Sequence, residues 1–299
     1  MQYIASNKGF LGIKNPSIKD TRVIIVPYGL ENTVSYGKGT SNGPKEIIRA
    51  SHQVELYDEE LGYEPHNEIG IRTMKPKKMP KNNPAALKLL EQTVDEIWKL
   101  GKFPFVLGGE HTITSGSIRP FVNNLEKLTI VHFDAHADLR NSYEGRKLSH
   151  ACAIRRCLDY KNVDIVSIGI RNISREEFGF AKENGKRVKI FWAKDKISSR
   201  LKEIVKQIKG KNVYISFDLD VFDPSLMAAT GTPEPGGLFW NETIDIIKAV
   251  IRNSEVFGVD INELAPIKGF HSYNFLAAKL CYKIISYRFH RFPLRERAR

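Results

Sequence analysis

The sequence predicts an α/β protein with a parallel sheet, and three observations carry that prediction. Short β-branched runs are continuous rather than alternating, the pattern of strands buried on both faces. Stretches with apolar residues at 3–4 spacing fall between them, so strands alternate with helices. Acidic or histidine residues follow four of the strands, where open α/β sheets bind their ligands. The 299 residues are 41% hydrophobic and 27% charged. That is enough to bury a core and too apolar for a disordered chain.

Strands are predicted at 22–27, 103–107, 128–133, 163–168, 188–191, 212–217 and 256–261. Among the helices, the one that starts near Pro84 is the best defined. Asn82 and Asn83 precede it as caps, and proline is favoured in a first turn. Leu87, Leu90, Val94 and Ile97 then form an apolar stripe, and Lys99 and Gly101 suit its end. Further helices are predicted at 44–51, 117–124, 175–184, 200–209, 241–253 and 272–287. No repeat and no long linker divides the chain, which reads as one domain over 1–299.

Three cysteines, Cys152, Cys157 and Cys281, cannot build a disulfide framework. No apolar run approaches the roughly 20 residues of a membrane span. The first fifteen residues lack the apolar segment of a signal peptide. These features predict a cytoplasmic protein with no membrane partner. The net charge is 46 − 34 = +12. Much of the excess lies in the proline-containing run Lys75 to Lys81 and in a basic C-terminal tail over 288–299. Such segments are usually solvated, so no nucleic-acid partner is expected.

The chemistry lies at the strand ends. Gly108-Gly109-Glu110-His111 follows the second predicted strand, and Asp134-Ala135-His136-Ala137-Asp138 the third. Asp218-Leu219-Asp220 closes the sixth, and Asn262-Glu263 follows the seventh. On extended backbone, Asp134, His136 and Asp138 would share one face, as would Asp218 and Asp220. With His111 these make four carboxylates and two imidazoles. One divalent ion could not offset four packed carboxylates, whereas two ions sharing bridging carboxylates could. Oxygen and nitrogen donors without thiolate favour Mn²⁺-class metals over structural zinc. Two metals about 3.5–4 Å apart can activate a shared water, so metal-assisted hydrolysis is the expected reaction class. His132 reads as a packed residue rather than a ligand, and His271 as the start of the last helix.

At these positions the sequence resembles the ureohydrolase family of arginases and agmatinases. Three blocks carry the resemblance: Gly-Gly-Glu-His at 108–111, Phe-Asp-Ala-His-Ala-Asp at 133–138, and Ser-Phe-Asp-Leu-Asp-Val-Phe-Asp-Pro at 216–224. Gly231 to Gly237, Asp260 to Glu263 and Gly37 to Arg49 support them, so the likeness runs from about residue 22 to 285. The resemblance implies a three-layer α/β/α fold with a mostly parallel sheet of about eight strands. It implies two Mn²⁺ per subunit, with His111 and Asp138 on the first, His136 and Asp220 on the second, and Asp134 and Asp218 bridging both. A bridging hydroxide would attack the guanidinium carbon. Asp138 would orient it, Glu263 would hold the guanidinium, and His150 would shuttle a proton to the leaving amine. A homotrimer or homohexamer is also implied.

The loop after Asp138 lacks the Asn- and Ser/Thr-rich stretch associated with arginases. Residues 150–156 and Thr232-Pro233-Glu234-Pro235-Gly236-Gly237 look like the agmatinase branch. The expected reaction is therefore agmatine to putrescine and urea. Arg140 and Arg146 in that loop could instead bind a carboxylate, favouring arginine or 4-guanidinobutyrate, while Glu144 could attract the amine of agmatine. Aminopropylagmatine is a further alternative substrate. An inert binding or regulatory relative is a rival that all six ligand residues oppose.

Overall fold

The computed structural model describes residues 1–290. Eight strands form the sheet: β1 Val23–Tyr28, β2 Ile71–Thr73, β3 Phe103–Gly108, β4 Leu128–Phe133, β5 Val163–Ile170, β6 Val188–Trp192, β7 Asn212–Asp218 and β8 Glu255–Asn262. The helices are α1 Gly43–Ser51, α2 His66–Ile69, α3 Asn83–Lys99, α4 Thr114–Ser117, α5 Arg119–Asn124, α6 Ala153–Cys157, α7 Arg175–Glu183, α8 Leu201–Ile208, α9 Trp240–Asn253 and α10 His271–Phe289.

All strand pairs are parallel, in the order β2-β1-β3-β8-β7-β4-β5-β6. Alternate side chains of each strand enter opposite cores. In β1, Val23 and Ile25 face one side and Ile24 and Val26 the other. Helices α1, α8, α9 and α10 cover the first face, and α3, α5, α6 and α7 the second. Strands β1, β3, β4 and β5 are wholly buried, and β7 and β8 are buried except at Asn212, Glu255 and Phe257. Continuous apolar runs follow directly from that two-sided burial.

From β3 the chain resumes at β4, three places along the sheet, and β8 and β7 fill the gap between them last. This separation opens a crevice at the carboxyl ends of the four central strands.

Local signals explain several elements. Asn82 caps α3, its side chain accepting from the Ala85 N–H at 2.9 Å. Ser174 and Glu177 close a reciprocal capping box on α7. His271 does start the last helix. The helix expected over 117–124 is instead two short ones, α4 and α5, parted at Ile118. Pro120 has no N–H to continue the first, so a new turn begins. Strand β2 and helices α2 and α6 were not expected. They are three to five residues long, too short for a periodicity. The tail expected over 288–299 is partly helix: Arg288 and Phe289 end α10, and Arg288 Nε donates to the Val256 carbonyl at 2.7 Å. Its remaining residues, 291–299, lie outside the described part.

Helix α10 is buried on nearly all sides, and it carries a charge inward. Lys283 Nζ lies 2.9 Å from Asp58 Oδ1, with side chains 4% and 1% exposed. Asp58 Oδ1 also accepts the backbone N–H groups of Glu60 and Leu61. Removing the cation would leave a buried carboxylate without its counter-charge. Lys283→Met is expected to cost about 3–5 kcal/mol in urea unfolding, and Lys283→Met with Asp58→Asn to recover much of it. An unchanged midpoint for the single variant would contradict this account.

Candidate metal centre and active site

The loops at the carboxyl ends of β3, β4, β7 and β8 converge on one cavity of about 180 Å³. Close backbone contact makes the convergence possible. A Cβ on Gly108 would lie 2.1 Å from Asn262 Oδ1, and one on Gly109 would lie 2.1 Å from the Leu30 carbonyl oxygen. His111 then opens a 3₁₀ turn directly after β3.

His111 is 1% exposed, and its two ring nitrogens have distinct tasks. Nε2 lies 2.8 Å from Ser216 Oγ, which itself donates to Asp260 Oδ1 at 2.9 Å. The serine proton is thus committed, and the serine accepts from Nε2–H. That tautomer leaves a lone pair on Nδ1. Nδ1 has no aligned hydrogen bond, yet it faces Asp134 Oδ2 at 3.0 Å, Asp138 Oδ2 at 3.2 Å and Asp218 Oδ2 at 3.4 Å. A buried imidazole lone pair among three carboxylate oxygens is the donor arrangement of a cation site.

A second group lies beside it. His136 Nδ1 is 2.8 Å from Asp220 Oδ2 and 3.6 Å from Asp134 Oδ1. Potential ligand atoms of Asp134, His136 and Asp220 all fall within 4.8 Å of one another. The other oxygens are tied to backbone: Asp220 Oδ1 accepts from the Ala135 N–H, and Asp218 Oδ1 from that of Asp220. His132 Nε2 bonds Asp134 Oδ2 at 2.8 Å, and its Nδ1 lies 3.1 Å from Ser167 Oγ. It is packed, as expected, and it also fixes the carboxylate of Asp134.

Ionisation reports the same surplus of negative charge. Burial resists a charge on His136, but Asp220 and Asp134 push it up to about 12. Burial likewise opposes charge on His111, and the three carboxylates around it hold it well above its usual value. Asp134 is held well below the carboxylate range against its burial, first by His132 and then by His111 and His136. Burial, then repulsion from Asp220 and Asp134, pushes Asp218 well up. Asp138 is raised by burial and by Asp134. Divalent cations among these groups would offset that surplus.

The route to the shared cavity differs from the expected one in one respect. Residues 134–138 are not extended strand, because β4 ends at Phe133. The chain turns, and Asp138 has φ +51°. Loop geometry therefore gathers these side chains, not the alternation of a strand. Glu263 also lies in the left-handed region, at φ +66°. Non-glycine residues persist there only when their surroundings hold them. Glu263 N–H donates to the Gly109 carbonyl at 2.8 Å, and its Oε1 accepts from the His111 N–H at 2.7 Å. Burial pushes its carboxyl well above the usual range.

His111, Asp134, His136, Asp138, His150, Asp218, Asp220 and Glu263 all line this one cavity. Arg140 lines it too, with Nε 3.8 Å from Glu177 and its guanidinium over the Tyr143 ring. Arg146 and Glu144 are not among the lining residues, and Arg146 donates to the Asn32 carbonyl at 3.1 Å.

Sequence reading missed Arg171. Its guanidinium donates to the carbonyls of Gly169, Asp220, Val221, Phe222 and Glu234, at 2.7–3.2 Å. It fastens the loop carrying Asp220 to the loop carrying Glu234, whose carboxylate lies 3.9 Å from His136 Nε2. Its partners are main-chain atoms, which leave no motif. Ser216 and Asp260 lay inside quoted blocks, but only the fold brings them behind His111.

Comparison with known proteins places the chain in a family. Residues 20–286 match the arginase family, and the chain belongs to it. An N(1)-aminopropylagmatine ureohydrolase from Synechocystis sp. is 37% identical over 279 residues, covering 91% of this chain and 90% of that protein. An agmatinase from Bacillus anthracis is 35% identical over 271 residues, covering 89% and 92%. The crystal structure of agmatine ureohydrolase from Thermoplasma volcanium superposes with a TM-score of 0.81 at 29% identity, covering 96% and 94%. The protein is a ureohydrolase, a hydrolase acting on guanidino compounds. Its eight-stranded parallel sheet with flanking helices is the arginase-like fold.

Proposed function

We propose that this ureohydrolase is an agmatinase, releasing urea and putrescine from agmatine with two Mn²⁺ ions. The observation that carries the reading is the cavity where His111 Nδ1 and His136 Nδ1 face the shared Asp134. Imidazole and carboxylate donors without thiolate suit manganese. His111 and Asp138 would hold one ion, His136 and Asp220 the other, and Asp134 and Asp218 both. When bound, the ions supply Lewis acidity and activate water at neutral pH.

The chain's own residues do the rest. Glu263, buried and aimed inward, accepts N–H groups of the guanidinium in charge-assisted bonds. Asp138 accepts a hydrogen bond from the attacking water and so fixes its approach. His150 delivers a proton to the nitrogen that leaves. Ser216 sets the tautomer of His111. Ser216→Ala is expected to weaken metal binding roughly 10–100-fold in a chelator competition. Unchanged affinity would remove the serine from the site's support.

The distal end favours an amine over a carboxylate. Arg146 is turned away to Asn32, and the charge of Arg140 faces Glu177 and Tyr143. The longer substrate aminopropylagmatine is the second reading. It is supported by the named activity of the Synechocystis relative and by Tyr36, a lining residue 82% exposed at the mouth. The test is kcat/KM for agmatine, aminopropylagmatine, arginine and 4-guanidinobutyrate in parallel. Agmatine is expected to lead. A tenfold lead for aminopropylagmatine would install the second reading, and a lead for either carboxylate substrate would overturn both.

A further inference from the structure

Glu110, in the Gly-Gly-Glu-His block, has no part in the chemistry above, yet it is wholly buried. Its carboxylate accepts from Asn32 N–H at 2.6 Å, Thr33 N–H at 2.5 Å, Thr33 Oγ1 at 2.9 Å, Thr112 Oγ1 at 2.7 Å and Asn83 Nδ2 at 3.3 Å. Asn83 Nδ2 also donates to the Leu148 carbonyl at 2.9 Å. One anion therefore gathers the 32–33 loop and the segment leading to His150.

Thr33 is the link. A carboxylate only accepts, so the Thr33 hydroxyl proton is committed to Glu110. The Thr112 hydroxyl proton goes to Glu110 as well. The lone pairs of Thr33 Oγ1 remain, and they face His150 N–H at 3.2 Å and His150 Nδ1 at 3.4 Å. Ser149 Oγ is also 3.4 Å from Nδ1, and its hydroxyl can take either role. The Tyr143 ring packs edge-on against the imidazole, 5.6 Å between centroids.

We propose that Thr33, held by Glu110, is a positioning residue that keeps His150 in the Nδ1–H tautomer and leaves Nε2 for the substrate. This rests on the reading of His150 as the proton donor. As the guanidinium C–N bond breaks, its electron pair goes to the leaving nitrogen, which takes the Nε2 proton of the imidazolium form of His150. The neutral ring left behind keeps its proton on Nδ1, where Thr33 accepts it. Water restores the Nε2 proton before the next turnover. A ring flipped or in the other tautomer would present no proton-accepting nitrogen for that return.

The experiment is a double-mutant cycle on the Mn²⁺-loaded enzyme with the best of the four guanidino substrates. Thr33→Val keeps the shape and removes the hydroxyl, both the acceptor that faces His150 and a donor to Glu110. It is expected to lower kcat roughly tenfold, part of the 10²–10⁴ that general acid–base groups supply. KM and metal content should stay within error, and Thr33→Ser should restore kcat together with the stability lost with the hydroxyl's bond to Glu110. In a His150→Gln background, Thr33→Val should slow turnover by less than about twofold. An equal slowing in both backgrounds, or no slowing in the first, overturns the link. Near-normal rates for His150→Gln alone would instead defeat the role of His150. Glu110→Gln frees the hydroxyl proton to turn toward Nδ1 and provides a second test should Thr33→Val not fold. It should lower kcat while Thr33→Ser does not, and a normal kcat overturns the proposal.

Discussion

Asp134→Ala is expected to lose bound metal and urea release together. Asp134 touches every part of the centre: Oδ2 meets His111 Nδ1 and His132 Nε2, and Oδ1 meets His136 Nδ1 and the His136 N–H. Its removal would strip a shared ligand from both ions and leave His132 without its carboxylate partner. Turnover should fall by roughly 10³-fold or more, beyond the 10²–10³ typical of one lost oxyanion-hole donor. Metal analysis of the dialysed variant should find well under two ions per subunit. Two retained ions would take Asp134 out of the shared position.

Glu263→Gln should separate catalysis from metal loading. The amide keeps the size of the carboxyl and an oxygen for the His111 N–H, so the left-handed backbone at 263 can survive. What it loses is the carboxylate proposed to face the guanidinium. A drop of roughly 10²–10³ in kcat/KM is expected, about 2.7–4 kcal/mol, with both ions retained. Loss of metal would show that Glu263 supports the centre instead, through its bond to His111. A near-normal rate would place guanidinium binding elsewhere.

The site was legible because its residues sit at strand ends, where sequence order and spatial position agree. His111, Asp134, Asp218 and Glu263 each lie within a few residues of a continuous apolar run. The fold needed only to place β3, β8, β7 and β4 side by side. Strand alternation, expected to gather Asp134, His136 and Asp138, is not what brings them together. They meet because the chain turns at Asp138, not because a strand continues. The supporting residues were harder to read. Ser216 alternates with Phe217 in β7 and looks like one more buried strand residue. Arg171 bonds carbonyls that belong to no motif. Thr33, in a loop, and His150, at the start of a 3₁₀ turn, lie 117 positions apart, where neither periodicity nor spacing marks a partner. The short strand β2 escaped for another reason. Three residues at a sheet edge give no alternation to count, and pairing with β1 holds them in place.

On the proposed function, this cavity hydrolyses agmatine only with metal ions in place. The most direct measurement is a titration of Mn²⁺ into chelator-treated protein, following ion binding by calorimetry and urea release from agmatine on the same samples. The expected result is no urea from the stripped protein, binding that saturates at two ions per subunit, and activity that is complete when the second site fills. Urea release that survives the chelator, or two bound ions with no urea from agmatine, would contradict it.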